Sequence, residues 1–167
     1  MSYLPDNLYK KILDNIPIFC VDVYIYSKKT KSFLLVKRNN EPEKNKYCCP
    51  GGRVLKGEDL LNAAIRKVRE ELTVNIKKNK LHFFGVTNTF FKNSVFENIS
   101  SHTINASFLY EVDDMDNFNI KLSSESSNFE WKNGKEKNIV KFVMVTIDKI
   151  KALKFKTSAI YLNFEQK

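Results

Sequence analysis

The hydrophobic positions change period several times along the chain, and each change marks an element. Residues 6–16 carry Leu8, Ile12 and Ile16 at helical spacing, with Asp6 placed to cap the helix and Pro17 to end it. Residues 18–26 alternate Val21, Val23 and Ile25, with Asp22 directed to the opposite face, which predicts a strand. A turn over residues 27–31 leads to a second strand over 32–38, followed by a polar loop over 39–46. Residues 58–72 form the strongest amphipathic pattern, with Leu61, Ile65, Val68 and Leu72 as its stripe. Two more strands are predicted over 81–91 and 102–112. Residues 115–138 are mostly polar, interrupted by Phe129 and Trp131. A further strand is expected over 139–147, and a short helix after Thr157. No repeat or linker divides the series, so residues 1–167 are expected to fold as one domain. Mixed strands around one central helix predict the α/β class or an α+β sandwich.

Composition narrows the picture. The chain is 43% hydrophobic and 13% aromatic, which excludes wholesale disorder. It has no apolar run long enough to span a bilayer and no secretory h-region at its start. Its three cysteines, Cys20, Cys48 and Cys49, have neither C-x-x-C nor zinc spacing, so buried reduced thiols in a cytoplasmic protein are expected. Lys plus Arg number 28 against 19 Asp plus Glu, a net +9, which favours an anionic partner: a nucleotide, a nucleic acid or a lipid surface. Only His82 and His102 are present, so any metal here must be held mainly by oxygen.

The chemistry concentrates around the central helix. With Glu58 at zero and ~100° per residue, the apolar Leu60, Leu61, Ala64, Ile65, Val68 and Leu72 cover roughly 200° to 340°. On the same wheel Arg66 lies near about 80°, Glu70 near about 120° and Lys67 near about 180°, while Glu71 falls near about 220°, inside the apolar sector. A carboxylate at the edge of a buried stripe is costly unless it is paired, either with a core-edge arginine or with a divalent cation to which Glu70 adds a second carboxylate. Ahead of the helix, Pro50-Gly51-Gly52-Arg53 lets backbone approach a ligand or ion without a Cβ in the way, and Arg53 can meet phosphate oxygens in a fork.

Gly52, Glu58, Arg66, Val68, Glu70 and Glu71 stand at the spacing of the Nudix box, G-x5-E-x7-R-E-U-x-E-E-x-G-U, with U a bulky aliphatic. The chain therefore resembles the Nudix hydrolases. The resemblance implies an α/β/α sandwich with a mixed β-sheet, and Mg²⁺- or Mn²⁺-dependent hydrolysis of nucleoside diphosphates linked to another moiety. It implies Glu70 and Glu71 as metal ligands with the Gly51 carbonyl nearby, and Glu58 and Arg66 as the pair that orients helix and loop. Lys67 stands where the box has a glutamate, and Thr73 where it has the helix-ending glycine. A β-branched residue in a left-handed cap costs ~1 kcal/mol or more, so the helix end is expected to be remodelled or the cap moved to Asn75.

Outside the box, Ile16-Pro17-Ile18-Phe19-Cys20-Val21-Asp22, residues 34–42, Pro50-Gly51-Gly52-Arg53-Val54 and Phe84-Gly85-Val86 resemble the GDP-mannose mannosyl hydrolase branch. That branch also lacks the glutamate replaced here by Lys67, and it attacks the sugar C1, releasing GDP and the inverted sugar. By this resemblance Asp22, Arg38, Arg53 and Arg66 fall on catalytic positions, with Arg38 and Arg53 stabilising the departing diphosphate. The branch places a histidine base before a late Tyr-x-Trp strand. Here the register ending in Phe129-Glu130-Trp131 puts Ser126 in its place and Glu125 before it, and an alternative register over 142–150 also supplies no histidine. Glu125 is thus the candidate base or third metal ligand. The implied partners are a nucleoside diphosphate or nucleotide-sugar substrate and a second copy in a homodimer, with no membrane and no nucleic acid. Two alternatives remain: a pyrophosphohydrolase that uses Glu125, and a non-catalytic nucleotide- or RNA-binding module.

Overall fold

The computed structural model describes residues 4–113 and 119–156. Helix α1 (Asp6–Asn15) leads into β1 (Ile18–Ser27) and β2 (Ser32–Arg38). Two short strands, β3 (Tyr47–Cys48) and β4 (Gly51–Arg53), precede helix α2 (Leu60–Leu72). Strands β5 (Leu81–Phe91), β6 (Ser101–Val112) and β7 (Ser126–Lys132) follow, then helix α3 (Lys141–Ala152). The seven-stranded sheet runs β3-β2-β1-β6-β5, with β4 added on β1 and β7 on β2. The β1–β6 pair is parallel and the other pairs are antiparallel, so the sheet is mixed.

Strand β1 changes partner along its length. Its first half, Cys20 to Asp22, pairs with β4, and its last residues, Ile25 to Ser27, pair with β2. Between them the Val23 N–H donates to the Pro50 carbonyl at 2.8 Å, which draws the glycine loop against the middle of the sheet. Both faces of β1 are buried. Val21, Val23 and Ile25 pack with Ala64, Val68 and Leu72 of α2, while Tyr24 and Tyr26 pack with Val143, Ile147 and Ile150 of α3. Helices thus cover both sides of the sheet, the expected α/β/α arrangement.

Four local expectations change. Residues 139–147 are not a strand: α3 begins at Lys141 and buries Val143, Ile147 and Ile150 at helical spacing. The run Phe142-Val143-Met144-Val145 has strand propensity, but a helical stripe packed on the sheet overrides it. The polar stretch contains β7, an outer strand against β2, with Phe129 and Trp131 packed toward the α2 core. Asp6 does not cap α1. Pro5 occupies that position, and Asp6 lies in the first turn, where its charge suits the helix dipole.

The fourth is the end of α2, where Thr73 itself adopts the left-handed conformation, φ 59° and ψ 23°. Tertiary bonds hold it there. The Thr73 hydroxyl donates to the Lys121 carbonyl at 3.0 Å, while the Lys121 and Ser123 N–H groups donate to the carbonyls of Leu72 at 3.0 Å and Glu71 at 3.1 Å. These bonds satisfy helix-end carbonyls that a glycine motif satisfies elsewhere. The helix expected after Thr157 lies outside the described residues.

Candidate functional site

The site lies where α2 meets the glycine loop. Asp59 caps α2, its Oδ1 accepting from the Asn62 N–H at 2.9 Å. The next contacts lock helix to loop: Arg66 donates through Nε and Nη2 to the two oxygens of Glu58, each at 2.7 Å. Arg66 Nη2 also reaches the Arg53 carbonyl at 2.9 Å, and Nη1 reaches Glu70 Oε2 at 3.1 Å. Glu58 is held below the usual carboxylate range, chiefly by these bonds from Arg66. Arg66 thus joins Glu58 and the loop carbonyl of Arg53 to Glu70 on the helix.

Glycine is required twice in this loop. A Cβ on Gly51 would come within 2.7 Å of Asp22 Oδ1, and one on Gly52, at φ +149°, within 2.6 Å of Lys67 Cε. The Gly51 N–H donates to Glu71 Oε1 at 3.1 Å.

Glu71 is only 6% exposed, as its place on the helix wheel requires. Burial pushes its carboxyl up to about 7, while the Lys67 ammonium and the Gly51 N–H act in the opposite direction. The Lys67 Nζ stands 3.4 Å from Glu70 Oε2, 3.5 Å from Glu71 Oε1 and 3.6 Å from Glu125 Oε2. Burial opposes the lysine's charge, yet Glu71, Glu125 and Glu70 together hold its pKa above the ordinary value.

Glu125 reaches this cluster because its loop is bound to α2 by the bonds from Lys121 and Ser123. Asn39 ties the loop from the other side, through its N–H to the Glu125 carbonyl at 3.0 Å and its Nδ2 to the Ser124 carbonyl at 2.8 Å. Glu130 stands apart on β7, bonded to Tyr47, Asn128 and Lys132. His102 pairs with Asn88 at 2.6 Å and stacks on Phe90.

Asp22 projects from the opposite face of β1 and is buried, its Oδ2 accepting from Asn105 Nδ2 at 2.9 Å. Burial raises its carboxyl to about 7, against the opposing effects of Asn105 and Arg38. The positive charge of Arg38 reaches both Asp22 and Glu71, and its Nε donates to the Pro42 carbonyl at 2.7 Å. The Arg53 guanidinium lies 4.4 Å from the Tyr9 ring, so α1 supports it from below. An open cleft of about 410 Å³ has Asn39, Glu41, Lys44 and Asn93 in its walls.

The donor set suits a hard divalent cation: oxygen atoms alone, one carboxylate buried, three facing a single cationic point. Among the described residues no three Asp, Glu, His or Cys side chains already form a metal cluster, and the Lys67 ammonium stands among Glu70, Glu71 and Glu125. Sequence reasoning did not find Asn105, Tyr9 or the role of Lys67. The first two carry no local signal. Lys67 carried one, its place on the wheel beside Glu71.

The NUDIX domain family matches residues 18–155, most of the chain and every site residue except Tyr9. This chain is a member of the Nudix family. A relative from Haloferax volcanii, low-salt glycan biosynthesis protein Agl8, is 34% identical over 129 residues, covering 76% of this chain and 78% of its own. Among solved structures, the MutT protein from Methanosarcina mazei matches with a TM-score of 0.68 at 21% identity, covering 85% of this chain and 99% of that one. The NUDIX domain of NrtR from Shewanella oneidensis, complexed with ADP ribose, matches with a TM-score of 0.65 at 15% identity, covering 89% and 98%. At these identities the structural matches establish the Nudix fold, and hydrolases of this family generally use divalent ions. The three cysteines of this Nudix protein are free and buried, and no described helix is long and apolar enough to cross a membrane.

Proposed function

We propose that this Nudix protein hydrolyses a nucleotide sugar of the GDP-mannose kind, releasing nucleoside diphosphate and sugar. The observation that carries the reading is the grouping of Glu70, Glu71 and Glu125 around one cation position, with the guanidinium of Arg38 close enough to act on Glu71. The glycan-biosynthesis name of the Haloferax relative supports a sugar-bearing substrate.

Glu70, Glu71 and Glu125, with the Gly51 carbonyl, would hold Mg²⁺ or Mn²⁺, which when bound neutralises diphosphate oxygens and improves the leaving group. Arg38 and Arg53 bind the diphosphate, and their forks stabilise the charge that grows as the bond to the sugar breaks. Asp22, buried and fixed by Asn105, lies beside Gly51 and acts on the glycine loop rather than on the sugar. Glu125 takes a proton from water. The water oxygen then bonds to the sugar C1, and the C1–oxygen pair leaves with the diphosphate. Arg66 acts on this chemistry only through Glu58, Glu70 and the Arg53 carbonyl.

A second reading, attack at phosphorus by the same water, is favoured by the carboxylate in the loop where the mannosyl hydrolase pattern has histidine. Incubation of GDP-mannose with Mg²⁺ in ¹⁸O-water separates the two. Mannose carrying the label, with unlabelled GDP, supports attack at C1. Labelled GMP or mannose phosphate moves the protein to the pyrophosphohydrolase reading. Binding without turnover of GDP-mannose or ADP-ribose makes it a nucleotide-binding module.

A further inference from the structure

We propose that Lys67 is the resident cation of the carboxylate cluster, and that a divalent ion takes its place only as the Lys67 ammonium withdraws. The inference rests on the reading of Glu70, Glu71 and Glu125 as metal ligands, and adds to it a competitor built into the chain.

Lys67 is not a surface lysine in a casual ion pair. It is 8% exposed, and its Nζ is nearly equidistant from three carboxylates, at 3.4, 3.5 and 3.6 Å. An ammonium committed to one partner sits closer than this, as Lys132 does to Glu130 at 2.7 Å. The central position is where a divalent ion would draw the same oxygens together. Two cations that need the same carboxylates repel each other across a few ångströms, and a buried site screens that repulsion poorly.

The loop is shaped around the lysine. Its stem runs against Gly52, where a Cβ would lie 2.6 Å from Cε and 3.2 Å from both Cδ and Nζ. The missing side chain at 52 leaves the space the stem occupies. The withdrawal is feasible because the lysine stem is long and rotatable and two of its partners, Glu70 and Glu125, are partly open to water. Without metal, the ammonium keeps three carboxylates from repelling one another, so the same residue stabilises the empty site and weakens the filled one.

These two effects have opposite signs, and that separates the proposal from a merely structural role. The test is calorimetric titration of Mn²⁺ into EDTA-stripped wild type, Lys67→Met and Lys67→Gln, with melting temperatures recorded without metal. The variants are expected to melt lower without metal, bind Mn²⁺ at least tenfold more tightly, and lose that gain when Glu71→Gln is added. Unchanged or weaker Mn²⁺ binding in a folded variant, with wild type binding normally, overturns the role of Lys67 and leaves the hydrolase reading standing. If neither wild type nor the variants bind Mn²⁺ at millimolar concentration, the metal assignment falls, and this inference with it. Lys67→Gln keeps the comparison available if Lys67→Met does not fold.

Discussion

Asp22 holds a carboxyl inside the sheet with one amide donor, and its proton affinity is set by burial. Its folded value, about 7, lies above the ordinary value of 3.8. The folded protein therefore keeps this proton after the unfolded chain has released it. The contribution to stability is complete below the unfolded value and is lost as pH rises to about 7, at up to ~1.4 kcal/mol per pH unit for one proton. Glu71 adds a slope of the same sign. Urea unfolding of metal-free Asp22→Asn should show a shallower loss of stability between pH 5 and pH 7 than wild type, and an unchanged slope would contradict the burial argument. At the same scale, Glu125 and Glu130 make a matched pair: one faces the Lys67 cluster, the other is bonded on β7. Glu125→Gln should lower turnover by about 10²–10³-fold, as loss of a general base does, while Glu130→Gln stays near the wild-type rate. The reverse result would misplace the base.

At the scale of the element, α2 ends in a conformation that its own sequence disfavours. Thr73→Val keeps the β-branch in the left-handed region and removes the hydroxyl bond to Lys121. A loss of about 1 kcal/mol is expected, together with faster amide exchange at Lys121 and Ser123. Unchanged protection at both amides would show that the hydroxyl does not hold the loop. The same helix shows what a sequence can reveal. The depth of Glu71 follows from helical angle alone, because position on a wheel is local. The αL turn of Thr73 was not legible, because residues 121–123 stabilise it from far along the chain. Helix α3 was hidden for a related reason: its β-branched residues favour a strand until the sheet face holds Val143, Ile147 and Ile150. The grouping of Lys67 with Glu125 was equally non-local, whereas the box residues around it were readable as spacing.

At the scale of the molecule, the split pairing of β1 puts Asp22 opposite Gly51, so the site is assembled at the join of the two halves of the sheet. The net charge of +9 favours an anionic partner for the molecule as a whole, which agrees with the kind of substrate proposed above. The backbone bonds that fasten residues 121–125 to α2 and to Asn39 bear on sequence change. Glu125 is positioned largely through main-chain atoms, with the Ser123 hydroxyl accepting from its N–H at 3.3 Å, so the Ser124 side chain is exchangeable as long as the backbone bonds of the loop remain. Ser124→Ala should leave turnover near wild type. Ser123→Pro, which deletes the N–H bound to the Glu71 carbonyl, should lower it about as far as losing Glu125 itself. Equal activity in the two variants would show that the loop finds its place by other means. With its reach fixed in this way, the loop can change its outward side chains without moving the Glu125 carboxylate.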